Sequence, residues 1–67
     1  MYTVEYRYKE NKGRGYSRWY TVSSHNNIKE GRDALGQHIV EFDSFDARLV
    51  NQHSGQVLGA YKYTQLR

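Results

Sequence analysis

Alternation opens the chain. Tyr2, Val4, Tyr6 and Tyr8 are separated by Thr3, Glu5, Arg7 and Lys9, and a period of two gives a strand one aromatic face and one polar face. The even-numbered residues are the expected buried side, which makes Tyr2, Val4 and Tyr6 core. The run breaks at Glu10-Asn11-Lys12-Gly13-Arg14-Gly15, where Asn and Gly tolerate the positive φ of a turn. A second strand is expected over residues 16–22. Arg18, Tyr20 and Val22 share one of its faces, and Ser17, Trp19 and Thr21 share the other. Large groups on both sides imply that its second face is only partly covered.

Ser23-Ser24-His25-Asn26-Asn27 is a cluster of helix-capping types. Asn27 followed by Glu30 has the spacing of a capping box, and Ser24 is the competing cap. The spacing predicts a helix from Ile28 to about Leu35 or Gln37, with Gly36 as its stop. Ile28, Leu35 and Ile39 form a narrow apolar stripe, while Gly31 and Ala34 allow close approach to whatever lies beneath. Lys29, Glu30, Arg32 and Asp33 face water.

In the next segment Val40, Phe42 and Phe45 read as buried, in a short strand or a tight connection. A hairpin follows, with strands over residues 47–51 and 56–63 and a Gln52-His53-Ser54-Gly55 loop. A short loop closing on Gly suits a type I turn with that glycine in the left-handed region. Gly59 marks a bulge or a close backbone approach. The expected fold is therefore α+β: one small domain spanning residues 1–67, in the order β-β-α-(β)-β-β. Its sheet is mostly antiparallel, built from two hairpins and covered by one helix.

Size changes how the aromatic residues are read. A chain of 67 residues buries only about 60% of the surface its unfolded form exposes. Aliphatic residues are few, so several of the seven tyrosines must be core. A homodimer is the other way to relieve a short core. There is no Cys, which fits a reducing cytoplasm, the expected location. No apolar run has membrane-spanning length and no signal-peptide pattern opens the chain, so a soluble, complete protein is expected.

Charge sharpens the picture through its distribution. The net charge is +3. Residues 1–20 hold five cations against two carboxylates, residues 21–46 two against five, and residues 47–67 three against none. If the chain ends pair in one sheet, that sheet is basic and its covering segment acidic, a field that steers anions.

Catalytic chemistry finds no footing. There is no Gly-x-Ser-x-Gly and no thiol nucleophile, and Gly13-Arg14-Gly15 lacks the remaining elements of a phosphate loop. His25, His38 and His53 are widely spaced, and Glu41, Asp43 and Asp46 lack the pattern of a calcium loop. No enzyme activity, cofactor or metal is expected. Arg14-Gly15-Tyr16-Ser17 opens like the first signature of an RNA-recognition motif. Arg18 then stands where that motif wants an aromatic, and the segment precedes any helix, so the assignment is rejected.

Interleaved aromatic and basic residues remain. Stacking on aromatic faces with cations along the phosphates is how single-stranded nucleic acid is held. The leading expectation is a non-catalytic binding module whose basic, Tyr/Trp-rich hairpin contacts nucleic acid. Arg7, Lys9, Lys12, Arg14 and Arg18 would lie on phosphates, Tyr16 and Tyr20 would stack, and Lys62 would extend the patch. Tyr, Trp and Arg are also the residues of protein–protein hot spots. The alternative is thus a small regulator or inhibitor, of phage or plasmid type by analogy, that docks on a host protein through the same surface.

Overall fold

The computed structural model describes residues 1–10 and 15–63. Four strands and one helix follow in the order β1 (Tyr2–Arg7), β2 (Tyr20–His25), α1 (Ile28–Glu41), β3 (Asp46–Asn51) and β4 (Val57–Tyr61). The sheet order is β2-β1-β3-β4 and every neighbouring pair is antiparallel. The expected α+β architecture of two hairpins under one helix is the one observed. No helix among the described residues is long and apolar enough to cross a membrane.

β1 and β3 form the regular centre of the sheet, with Val4 opposite Leu49 and Tyr6 opposite Ala47. Alternation turns Tyr2, Val4 and Tyr6 toward α1, as the period-two pattern requires. The core joins Val4, Leu35, Ala47 and Leu49, with Tyr2, Ile28, Ala34, Ile39, Leu58 and Tyr61 packed around it. Gly31 is the point of closest approach. A Cβ there would lie 2.9 Å from Leu49 Cδ1 and 3.3 Å from Tyr2 Cβ, so the helix can sit this low only because none exists.

Asn27 caps α1 by accepting from the Glu30 N–H at 2.8 Å, which settles the choice against Ser24. The helix then runs past Gly36 to Glu41, and residues 38–45 form no strand. Gly36 does not act as a stop because it keeps helical backbone: among the described residues only Gly55 has positive φ. Continued packing carries the helix onward, since His38 lies one turn beyond Leu35 on the buried side. The same period throws Val40 outward, where it is 81% exposed, and leaves Phe42 47% exposed. Both were expected to be buried.

The second strand also shifts. It begins at Tyr20 and ends at His25, while Tyr16 meets Lys9 in an isolated bridge. Ser23, Ser24 and His25 are strand residues because they pair with Val4, Thr3 and Tyr2. Completing the ladder along β1 outweighs their preference for caps. In the second hairpin Gly55 takes φ +79° and Asn51 Oδ1 accepts the His53 N–H at 2.9 Å. Leu58 is the extra residue of a bulge beside Gly59, between the Leu49–Gly59 and Val50–Val57 pairs.

The two helical glycines should respond oppositely to alanine. Gly36 has open space around it, so Gly36→Ala should stabilise the fold by about 0.5–1 kcal/mol. Gly31→Ala forces Leu49 and Tyr2 to move and should destabilise it by about 1 kcal/mol or more. Urea midpoints at unchanged m-value would show the two shifts.

Candidate functional site

Among the described residues the helix covers one face of the sheet and no helix or strand covers the other, so the residues singled out by sequence fall into two groups. On the open face, opposite-charge pairs stand directly across β1 and β3. Arg7 Nε donates to Asp46 Oδ2 at 3.0 Å, and Arg48 Nε donates to Glu5 Oε1 at 2.8 Å. Both pairs follow from register, since Arg7 is opposite Asp46 and Glu5 opposite Arg48. Asp46 is buried, and its Oδ1 also accepts the Tyr63 N–H at 2.9 Å.

Aromatic rings lie over these guanidinium groups. The Trp19 ring centroid is 4.0 Å from Arg48 Cζ and 4.7 Å from Arg7 Cζ, and Tyr16 is 4.0 Å from Arg7 Cζ. Each contact is within cation–π range. Trp19 reaches this face because it precedes Tyr20, which alternation sends to the other side. Arg7, Trp19, Arg48 and Lys62, with Val57, Ala60 and the strand ends, line a shallow groove of about 250 Å3. Lys9 and Tyr16 line a neighbouring hollow with Ser44, Asp46 and Tyr63.

Arg18 and Tyr20 belong to the helix side. Tyr20 stacks on Tyr6 at 5.4 Å and on Tyr8 at 6.2 Å between centroids, and Arg18 Cζ lies 4.9 Å from the Tyr20 ring. Hydrogen bonding with the Tyr20 hydroxyl raises the Tyr8 phenol above its ordinary value. Tyr6 is the hub of this cluster, with Phe45 at 5.5 Å and His38 at 5.8 Å. Tyr6, Val22, His38, Phe42 and Phe45 surround a cavity of about 230 Å3.

Of the eight predicted site residues, Arg7, Lys9, Tyr16 and Lys62 share the open face, while Arg18 and Tyr20 are at the other. Lys12 and Arg14 lie outside the described residues. Arg48 was missed, although its place opposite Glu5 follows once the β1–β3 pairing is known. His38 was missed as a helix-face residue, although it stands seven positions from Gly31 and three from Leu35. Among the described residues no group of three or more His, Asp or Glu is arranged to hold a metal ion.

No protein-family model matches the chain, and the comparisons with curated proteins and with solved structures found no match.

His38 Nε2 is buried without a hydrogen-bond partner, and burial lowers the pKa of the ring from 6.5, against an opposing pull from Glu41. The unfolded chain therefore takes up this proton more readily than the folded one. The contribution of His38 to stability is full above about pH 6.5 and is lost as pH falls through the folded value. His38→Phe should flatten that part of the pH–stability profile. It should also stabilise the protein by about 1 kcal/mol at neutral pH by removing an unpaired polar atom, as thermal melts at several pH values would show. Asp46→Ala should cost about 2 kcal/mol, because Arg7 loses its counter-ion and the Tyr63 N–H its acceptor. Urea unfolding measures it.

Proposed function

We propose that this chain is a non-catalytic binding module that holds nucleic acid against the helix-free face of its sheet. One observation carries the reading: Trp19 and Tyr16 lie over the guanidinium groups of Arg7 and Arg48, beside a groove edged by Lys62. Arg7, Lys9, Arg48 and Lys62 stand on this side against Glu5 and Asp46, an excess of two positive charges. In sequence, Lys12 and Arg14 lie between Lys9 and Tyr16 together with Glu10, one further net positive charge. Each ion pair is made through Nε, and a guanidinium carries five N–H donors. The carboxylates thus fix the two arginines while leaving N–H groups for phosphate oxygens. A cytoplasmic location accords with such a ligand and with a chain that has no Cys.

A second reading is favoured by the helix side. Val22 is 43% exposed beside Phe42 and the Tyr6–His38–Phe45 cavity, with Arg18 stacked nearby. Such a patch suits a small regulator or inhibitor that docks on a protein partner.

Salt separates the two. Nucleic-acid affinity should fall linearly on a log–log plot, by about 0.7 per neutralised phosphate on single strands and about 0.9 on B-DNA. Lys9→Glu and Lys62→Glu should each weaken binding and make that slope shallower. Fluorescence anisotropy with labelled DNA and RNA oligonucleotides from low to moderate salt is the measurement. Absence of binding at low salt sinks the nucleic-acid reading and leaves the protein-docking one.

A further inference from the structure

Given that nucleic acid is the ligand, on which this step rests, we infer that it is single-stranded, with an unpaired base stacked on Trp19 and adjacent phosphates on Arg7 and Arg48. The platform is built before the ligand arrives. Glu5 and Asp46 hold the two guanidinium groups at 2.8 and 3.0 Å, and both carboxylates are shielded from solvent. The guanidinium groups in turn hold the indole at 4.0 and 4.7 Å. A ring fixed in this way loses little freedom when a base is laid on it, which removes part of the usual cost of binding.

The shape of the face argues for an open strand. Its groove, about 250 Å3, is below the roughly 300–1,000 Å3 of cavities that enclose a small ligand. It therefore takes one flat ring from a longer chain and leaves the rest outside. Duplex reading in the major groove calls for an inserted helix or β-ribbon with a positive surface. The outer side of α1 offers Lys29 and Arg32 against Glu30, Asp33 and Glu41, which repels phosphate more than it attracts it. The cations are instead on the sheet, around the half-buried Trp19 and the exposed Tyr16.

The lining also sets the selectivity. Beyond its charged groups the described lining of the groove is Trp19, Ala47, Val57, Ala60 and Tyr61, and no Asn or Gln is among these described residues. Asp46 is already engaged by Arg7 and by the Tyr63 N–H. Such a site accepts any base by its flat face, so binding should depend little on sequence.

Trp19 is the only tryptophan, so its fluorescence reports the stack directly in the unmodified protein. Oligo(dT), oligo(U), a mixed-sequence duplex and heparin would be titrated at low salt, the first two distinguishing DNA from RNA. The expected result is quenching by one or both single strands, with affinity at least tenfold above the duplex and little emission change with heparin. Trp19→Ala should weaken single-strand binding roughly 5- to 150-fold, the worth of one base stack. Trp19→Phe should retain most of it, and far-UV circular dichroism would confirm that both variants fold. If Trp19→Ala does not fold, the quenching and Trp19→Phe carry the test. Equal or tighter binding of the duplex with unchanged Trp19 emission overturns the single-strand inference and keeps the nucleic-acid reading. No binding of either nucleic acid overturns both.

Discussion

The seat of Leu49 against Gly31 decides where everything else can be. Leu49 is fully buried, and the helix reaches it only because position 31 has no side chain. That contact seats α1 over β1 and β3, with further contacts reaching the edge strand β2. One helix of this length cannot also cover the reverse side. Among the described residues no second layer covers the reverse side, which is made compatible with water by its own residues. The open face is thus a consequence of the core.

Water compatibility on that face comes from pairing rather than from scattered polar groups. Glu5–Arg48 and Arg7–Asp46 stand across the two central strands, where β1 and β3 are flanked on both sides by neighbours. In each pair the carboxylate is shielded and the arginine partly exposed, so the pairs act as positioning devices for the guanidinium groups. With its carboxylate partly buried and bonded, each arginine has few orientations left, and Trp19 and Tyr16 can lie flat on the result. On the same side of the central strands Thr3 and Val50 are both buried, and Trp19 is itself half-buried.

Much of this was readable in the chain, and the parts that were not have physical causes. The period of two in β1 identified its buried side, Asn27 and Glu30 identified the helix start, and Gly55 identified the second turn. Each is a local rule whose determinant lies within four residues. The misread features were settled from a distance. Gly36 has the composition of a stop, but the burial of His38 against Tyr6 carries the helix through it. Ser23 and Ser24 look like caps, but β1 needs partners. Arg48 could be placed beside Trp19 only by knowing that β1 pairs with β3, a contact more than forty residues apart in sequence. The even spacing of Tyr16 and Tyr20 grouped them as one stacking patch; β2 begins only at Tyr20, and the two rings lie on opposite sides, Tyr16 with Arg7 and Tyr20 with Tyr6.

That division bears on how the sheet can be used. β2 and β4 are its edges, and neither contains a charged Asp, Glu, Lys or Arg to discourage pairing with another strand. Both instead carry a register shift against their inner neighbours, whereas the central β1–β3 pair has none. Bulges twist an edge and interrupt its row of free N–H and C=O groups, which blunts strand addition. An extended ligand therefore meets two poor edges and one prepared face. Peptide capture by edge pairing is disfavoured by the same bulges. The bulges, by blunting both edges, make strand addition an unfavourable way for this sheet to meet another chain.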